Sequence, residues 1–198
     1  MSASGVWCVM AARDDDLAPY AGRFATLLAE YWADPRTGRL WEGWRSRPEL
    51  VPADENVSRI FQELAGTHPI ADPDIRLVRD CQRTAADDAV PPVVAVTRKV
   101  DPAGILFHGL GPARAVAIPG AFGNFLLTAA ECRTAWPAVQ GAFSLDQGER
   151  SAVLERMETW LLSGDAPLDV EELLDGLPRI WAQALELGLG LCATTETI

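Results

Sequence analysis

The sequence predicts an α+β fold: a small, largely antiparallel sheet of about four strands packed by about six helices, with the C-terminal third all helical. Three observations predict it. Apolar runs of strand length lie at residues 5–12 and again between 93 and 118. Beyond Thr128 the apolar residues recur at helical spacing behind acidic caps. Hydrophobic residues make up 48% of the 198 positions and include seven tryptophans, enough for a substantial core in one domain. Residues 1–198 therefore read as a single domain, with 128–198 as a helical subdomain.

Residues 5–12 (GVWCVMAA) read as a buried first strand, an uncharged run rich in strand formers. Asp16 offers an N-cap to a helix with Leu17, Phe24, Leu27, Leu28 and Tyr31 at helical spacing, running through Trp32. The segment from Asp34-Pro35 to Gly38 reads as a turn, and Leu40 to Pro48 as an aromatic, basic loop or short helix. Asp54 and Asp72 each open a further helix, the latter with Pro73 at the first helical position. From Pro92 the period changes. Residues 93–97, 104–108 and 114–118 are short apolar runs separated by Asp101-Pro102 and by Gly109-Leu110-Gly111-Pro112, the pattern of a meander.

After Thr128 the reading is helical. Thr128 with Glu131, Asp146 with Glu149 and Asp169 with Glu172 have the spacing of a capping box, which places each acid at the positive end of a helix dipole. Val153, Leu154, Met157, Trp160 and Leu161 form one apolar stripe, and Val170, Leu173, Leu174, Leu177, Ile180, Trp181, Ala184 and Leu185 another. Pro137 and the Gly176–Pro178 segment are expected to break or kink their helices, and the tail from Cys192 to fray.

Charge excludes some functions. The chain carries 17 cations and 28 carboxylates, a net of −11, and sixteen of the cations are arginine, a bias that points to a GC-rich bacterial genome. Residues 129–198 hold twelve carboxylates and four arginines, a net of −8. Nucleic-acid binding needs a basic stripe to neutralise phosphates, and none is present, residues 93–118 adding only a basic edge of +2 beside the sheet, so no nucleic-acid partner is expected. No charged leader precedes the first apolar run, and the uncharged stretch 115–130 is interrupted by Pro119, Gly120, Gly123 and Asn124. A cytoplasmic protein with no membrane partner is the expectation. Cys8, Cys81, Cys132 and Cys192 are far apart, so they read as free, mostly buried thiols. With two isolated histidines they offer no metal-ligand spacing; no metal and no cofactor are expected.

His68 lies in a helix exit and reads as a surface loop residue. His108 ends an apolar run before Gly109-Leu110-Gly111; it reads either as a histidine satisfied by a backbone carbonyl or as a general acid or base facing a glycine-lined ligand site. Asp101, with a thiol such as Cys81 or Cys132, would complete a nucleophilic arrangement, although no local motif marks one. Trp41, Trp44, Arg45 and Arg47 are of the types enriched at interface hot spots, and the same tryptophans with Trp32 could instead pack the first helix onto the sheet.

The order of strand, amphipathic helix, Trp41-x-x-Trp44-Arg45-Ser46-Arg47-Pro48-x-Leu50 and second helix resembles the Trp-containing immunity proteins of bacterial polymorphic toxin systems, over residues 5–65. That resemblance implies a stoichiometric binder that neutralises a cognate toxin without catalytic residues. Glu171, Glu172 and Asp175, in the acidic final third, would then face a basic protein partner. The alternative is a small biosynthetic enzyme with a pocket near His108. A homodimer through the C-terminal helices is a further expectation.

Overall fold

The computed structural model describes residues 4–47, 89–98, 101–161 and 168–197. Strand β1 (Ser4–Ala12) alternates as a strand must when it carries different loads on its two faces: Trp7, Val9 and Ala11 are at most 1% exposed, while Val6, Cys8 and Met10 are half-buried. Helices α1 (Asp14–Ala33) and α2 (Pro35–Arg45) follow, then β2 (Val93–Arg98), α3 (Pro102–Leu110) and the single turn α4 (Pro112–Ala115). The chain continues through β3 (Phe125–Leu127), α5 (Ala129–Phe143), α6 (Gln147–Leu161), α7 (Val170–Leu187) and β4 (Gly190–Thr197). The sheet order is β2-β1-β4-β3 and every pairing is antiparallel, with Trp7 opposite Ala95 on one side and Thr195 on the other. This is an α+β fold, with seven helices and four strands among the described residues.

Helix α7 supplies much of the cover for one sheet face. Its stripe Leu173, Leu177, Ile180, Trp181 and Ala184 joins Trp7, Val9, Ala95, Leu191 and Ala193 in one core. Gly176 permits the close approach, since a Cβ there would lie 2.9 Å from Val93 Cγ1. Helix α5 enters the same core through Cys132 and Val139, and Trp181 Nε1 donates to the Cys132 carbonyl at 3.1 Å. On the opposite face α1 lays Leu17 and Phe24 against Leu126 and Cys192, while Val94 and Val96 stand 54% and 48% exposed on β2. Burying one Leu- or Phe-sized side chain contributes about 1.5–3 kcal/mol, so the face under α7 dominates the stability of the sheet.

The segment expected to be a meander is mostly helical. Residues 93–97 fall in β2, but 104–108 lie within α3 and 114–118 fold as α4 and the turn after it. Asp101 caps α3 by accepting from Ala103 N at 2.9 Å, Pro102 occupies its first turn, and Gly111 at φ 76° ends it. All nine residues of α3 are buried, which leaves no polar face to mark a 3.6-residue period. Phe125–Leu127 pairs with β4 as an edge strand. The tail expected to fray is β4 itself, inside the sheet between β1 and β3, so the last third is helical only as far as Leu187.

Helix boundaries differ as well. Asp16 is not a cap: α1 starts at Asp14 behind Arg13, and Asp14, Asp15 and Asp16 all lie in its first turn. The expected turn at Asp34 opens α2, with the Asp34 carboxylate accepting from Arg36 N at 2.7 Å. Pro137 and Pro178 sit inside uninterrupted helices. The boxes at Thr128–Glu131 and Asp146–Glu149 close in both directions. At Asp169 the cap accepts from Glu172 N, but the Glu172 carboxylate pairs with Arg179 instead of returning to the cap. The helices expected after Asp54 and Asp72, with His68, Cys81 and Lys99, lie outside the described residues.

Candidate functional site

Asp101 and His108 belong to the same short helix, at its N-cap and in its last turn. Seven residues of helical rise separate their backbones by about 10 Å, so they do not form an acid–base pair. His108 is 4% exposed and its ring packs on Trp160 of α6, with centroids 4.9 Å apart. It is therefore a helix–helix contact, not the end of a strand over an open glycine turn. Beside it, Arg156 Nε donates to the Gly109 carbonyl at 2.9 Å, so a cation from α6 closes the C-terminal end of α3.

Asp101 differs in kind. Its Oδ1 is engaged at the helix cap, but Oδ2 is enclosed with no hydrogen-bond partner among the described residues. Desolvation pushes its carboxyl up to about 7, against the opposing pull of the Ala103 and Gly104 amides. Cys132 is inert for a comparable reason: its thiol is buried and pushed up to about 12, chiefly by desolvation. A thiol so protonated is no nucleophile at neutral pH. Among the described residues, no group of three or more His, Cys, Asp or Glu is placed to hold a metal ion.

The aromatic motif divides. Trp41 and Trp44 are 3% and 2% exposed and pack against each other with centroids 5.3 Å apart, so they are core and cannot present a face to a partner. Trp41 Nε1 donates to Tyr31 Oη at 3.3 Å, and burial raises the Tyr31 phenol to about 12. Arg45 and Arg47 remain exposed, Arg45 in a long contact of 3.8 Å with Glu42. Trp32, grouped with Trp41 and Trp44 as a candidate for packing the first helix onto the sheet, is instead 46% exposed at the end of α1. The signal was in the period: Leu17, Phe24 and Tyr31 recur every seven residues on the buried stripe, and Trp32 is one step of about 100° off it.

Glu171, Glu172 and Asp175 lie together on the exposed side of α7, and each has an arginine. Arg150 of α6 grips Asp175 through two hydrogen bonds of 2.7 and 2.8 Å and reaches Glu171 at 3.2 Å. Arg179 pairs with Glu172, holding that carboxyl below its usual range while the guanidinium rises. Arg150 links the two helices, Arg179 pairs within α7, and together they do not cancel the face. Across α6, α7 and the Asp169 cap, eight exposed carboxylates stand against Arg150, Arg156 and Arg179, with Arg114 of α4 paired to one of them, a net of −4. Arg114 does not belong to a basic sheet edge; it closes the C-terminus of α5 through the carbonyls of Gly141, Ala142 and Ser144 and pairs with Glu149 at 2.6 Å.

Among the described residues, no helix is long and apolar enough to cross a membrane. No family model, curated protein or solved structure matches the chain.

Proposed function

We propose that the chain is a protein-binding module of the immunity or self-protection type, which blocks a basic partner, such as a toxin, with the surface of α6 and α7. The observation that carries this reading is the excess of exposed carboxylates over arginines along α6 and α7, of which Glu171, Glu172 and Asp175 are held in place by Arg150 and Arg179. Complementary charge raises the rate of encounter and disfavours partners of the wrong sign. Fixing the carboxylates before contact lowers the entropy lost on docking. Asp101 and His108 stand at opposite ends of α3 and His108 packs on Trp160, so this reading does not draw on either as a catalytic group. A homodimer through the C-terminal helices would have to use their polar sides, because the apolar stripe of α7 is spent in the chain's own core.

Basic proteins encoded beside the gene serve as probes. The wild-type chain is expected to bind one of them stoichiometrically, with an association rate that falls steeply as salt rises. The triple variant Glu171→Lys, Glu172→Lys, Asp175→Lys should bind it more slowly and fail to protect cells that co-express it. If the triple variant captures and protects as well as the wild type, the acidic surface is not the docking site.

A further inference from the structure

At the opposite charge extreme, the corner between α1 and α2 presents a tryptophan among arginines. Five large apolar side chains are conspicuously exposed among the described residues: Trp32, Val94, Val96, Val116 and Leu187. Trp32 alone among them is an aromatic fixed on several sides. Its ring stacks on Trp41 at 6.0 Å with an interplanar angle of 27°, meets Tyr31 edge-on at 5.1 Å, and donates from Nε1 to the Gly120 carbonyl at 3.2 Å. Trp41 beneath it is 3% exposed, so the backing is core. The half of Trp32 that faces solvent is thus already ordered, and binding it costs little additional side-chain entropy.

The charge around this ring is positive. From Asp34 to Arg47 the chain carries Arg36, Arg39, Arg45 and Arg47 against Asp34 and Glu42, +2 in a molecule of net −11. All four arginines are exposed. Asp34 is occupied by the α2 cap, and the Arg36–Asp34 and Arg45–Glu42 contacts are long, both at 3.8 Å. Arg45 follows Trp41 by four residues, one helical turn, and so borders the stack. Glu30, the acid nearest Trp32 on α1, lies roughly 200° round the helix from it. Fixed aromatic area rimmed by unsaturated guanidinium groups suits a segment that brings apolar side chains and carboxylates together.

We propose that this corner is a second docking surface, which takes an acidic protein segment with an apolar residue seated on Trp32 and a carboxylate on Arg45. It is distinct in place and in sign from the α6–α7 surface, so either can fail without the other.

The probe is a fluorescently labelled peptide alternating Glu and Leu, titrated against the intact chain by anisotropy, with a Lys–Leu peptide and a single-stranded DNA oligonucleotide as controls. The wild type is expected to bind the acidic peptide in preference to both controls. Trp32→Ala should weaken it by about tenfold or more, as loss of a central aromatic anchor does. Because Trp32→Ala also removes the Gly120 bond, the variant Arg45→Glu carries the test independently: the side chain is exposed, and the variant should lose most of the peptide binding while keeping the wild-type melting curve. The Glu171→Lys, Glu172→Lys, Asp175→Lys chain should retain the peptide. No binding, unchanged binding by the Arg45→Glu variant, or equal binding of the oligonucleotide overturns the proposal, the last by making the corner a general polyanion trap.

Discussion

Asp14 and Ala129 are 115 residues apart, and the Asp14 carboxylate accepts the Ala129 amide at 2.7 Å. The first residue of α1 thereby satisfies the first amide of α5, next to the Thr128–Glu131 box that serves the same helix end. A single acid adds its charge to two positive helix termini and pins them at the edge of the sheet where β3 runs into α5. Asp14→Ala is expected to destabilise the fold by about 1–3 kcal/mol, since it leaves a part-buried amide unmatched and removes a charged acceptor. Thr128→Ala should cost about 1 kcal/mol, the usual effect of a lost N-cap. Urea denaturation midpoints with unchanged slopes would check both; an Asp14→Ala chain as stable as the wild type would mean that water replaces the bond.

The Asp14 contact was illegible in the sequence, as were most features that depend on which elements meet. What could be read was local. Thr128 with Glu131 announces a helix start because both partners lie within four residues, and residues 5–12 announce a strand as a short uncharged run rich in strand formers. The run Gly104 to His108 could not be assigned by period, because a fully buried helix and a fully buried strand present the same uninterrupted apolar string. Asp101-Pro102 did carry the deciding signal, a cap followed by proline at the first helical position, but the same pair also makes turns. The strand Gly190–Thr197 was missed because a row of small and threonine side chains becomes a strand only when β1 and β3 flank it. At the candidate surfaces, the acidic excess on α7 was legible and the arginines beside it were not, since Arg150 reaches across from another helix.

Asp101 predicts a pH dependence. Its folded-state value is about 7 against an ordinary 3.8, so between roughly pH 4 and 7 the folded chain holds a proton that the unfolded chain has released. Stability from this group is complete below pH 4, declines as pH rises, and levels off above 7. Asp101→Asn keeps an acceptor for the Ala103 amide and mimics the protonated acid. The variant should match the wild type near pH 4 and exceed it at pH 8, by at most about 4 kcal/mol for a shift of this size. Thermal unfolding of both chains from pH 4 to 8 tests the sign; a gap that widens toward low pH would contradict it.

The cysteines should differ in reactivity by place. Cys132 and Cys192 are buried, and Cys8 is half-buried on the side of β1 that α7 does not cover. With a thiol at about 12, Cys132 is thiolate in on the order of one molecule in ten thousand at pH 8. Brief iodoacetamide treatment of the native chain, followed by peptide mass mapping, should label Cys8 ahead of both. Cys132 should become reactive only with global unfolding, on the same urea curve as the loss of secondary structure. Early labelling at Cys132 would mean that α5 opens locally.

Arg150→Ala tests what the ion pairs across α6 and α7 are for. The Arg150 side chain is 33% exposed and its partners Asp175 and Glu171 are 51% and 68% exposed, so their charges are well screened by water. Loss of the arginine should cost only about 0.5–1 kcal/mol in low salt, and less in high salt where surface attraction fades within a few ångströms. It also raises the negative charge of the face by one, so capture of a basic partner should become faster at low ionic strength while the freed carboxylates lose their fixed positions. Stopped-flow association measured beside urea unfolding separates the two effects. A loss of several kcal/mol would show that Arg150 acts mainly as a structural tie between the helices, and a slower association would show that holding Asp175 in place outweighs the added charge.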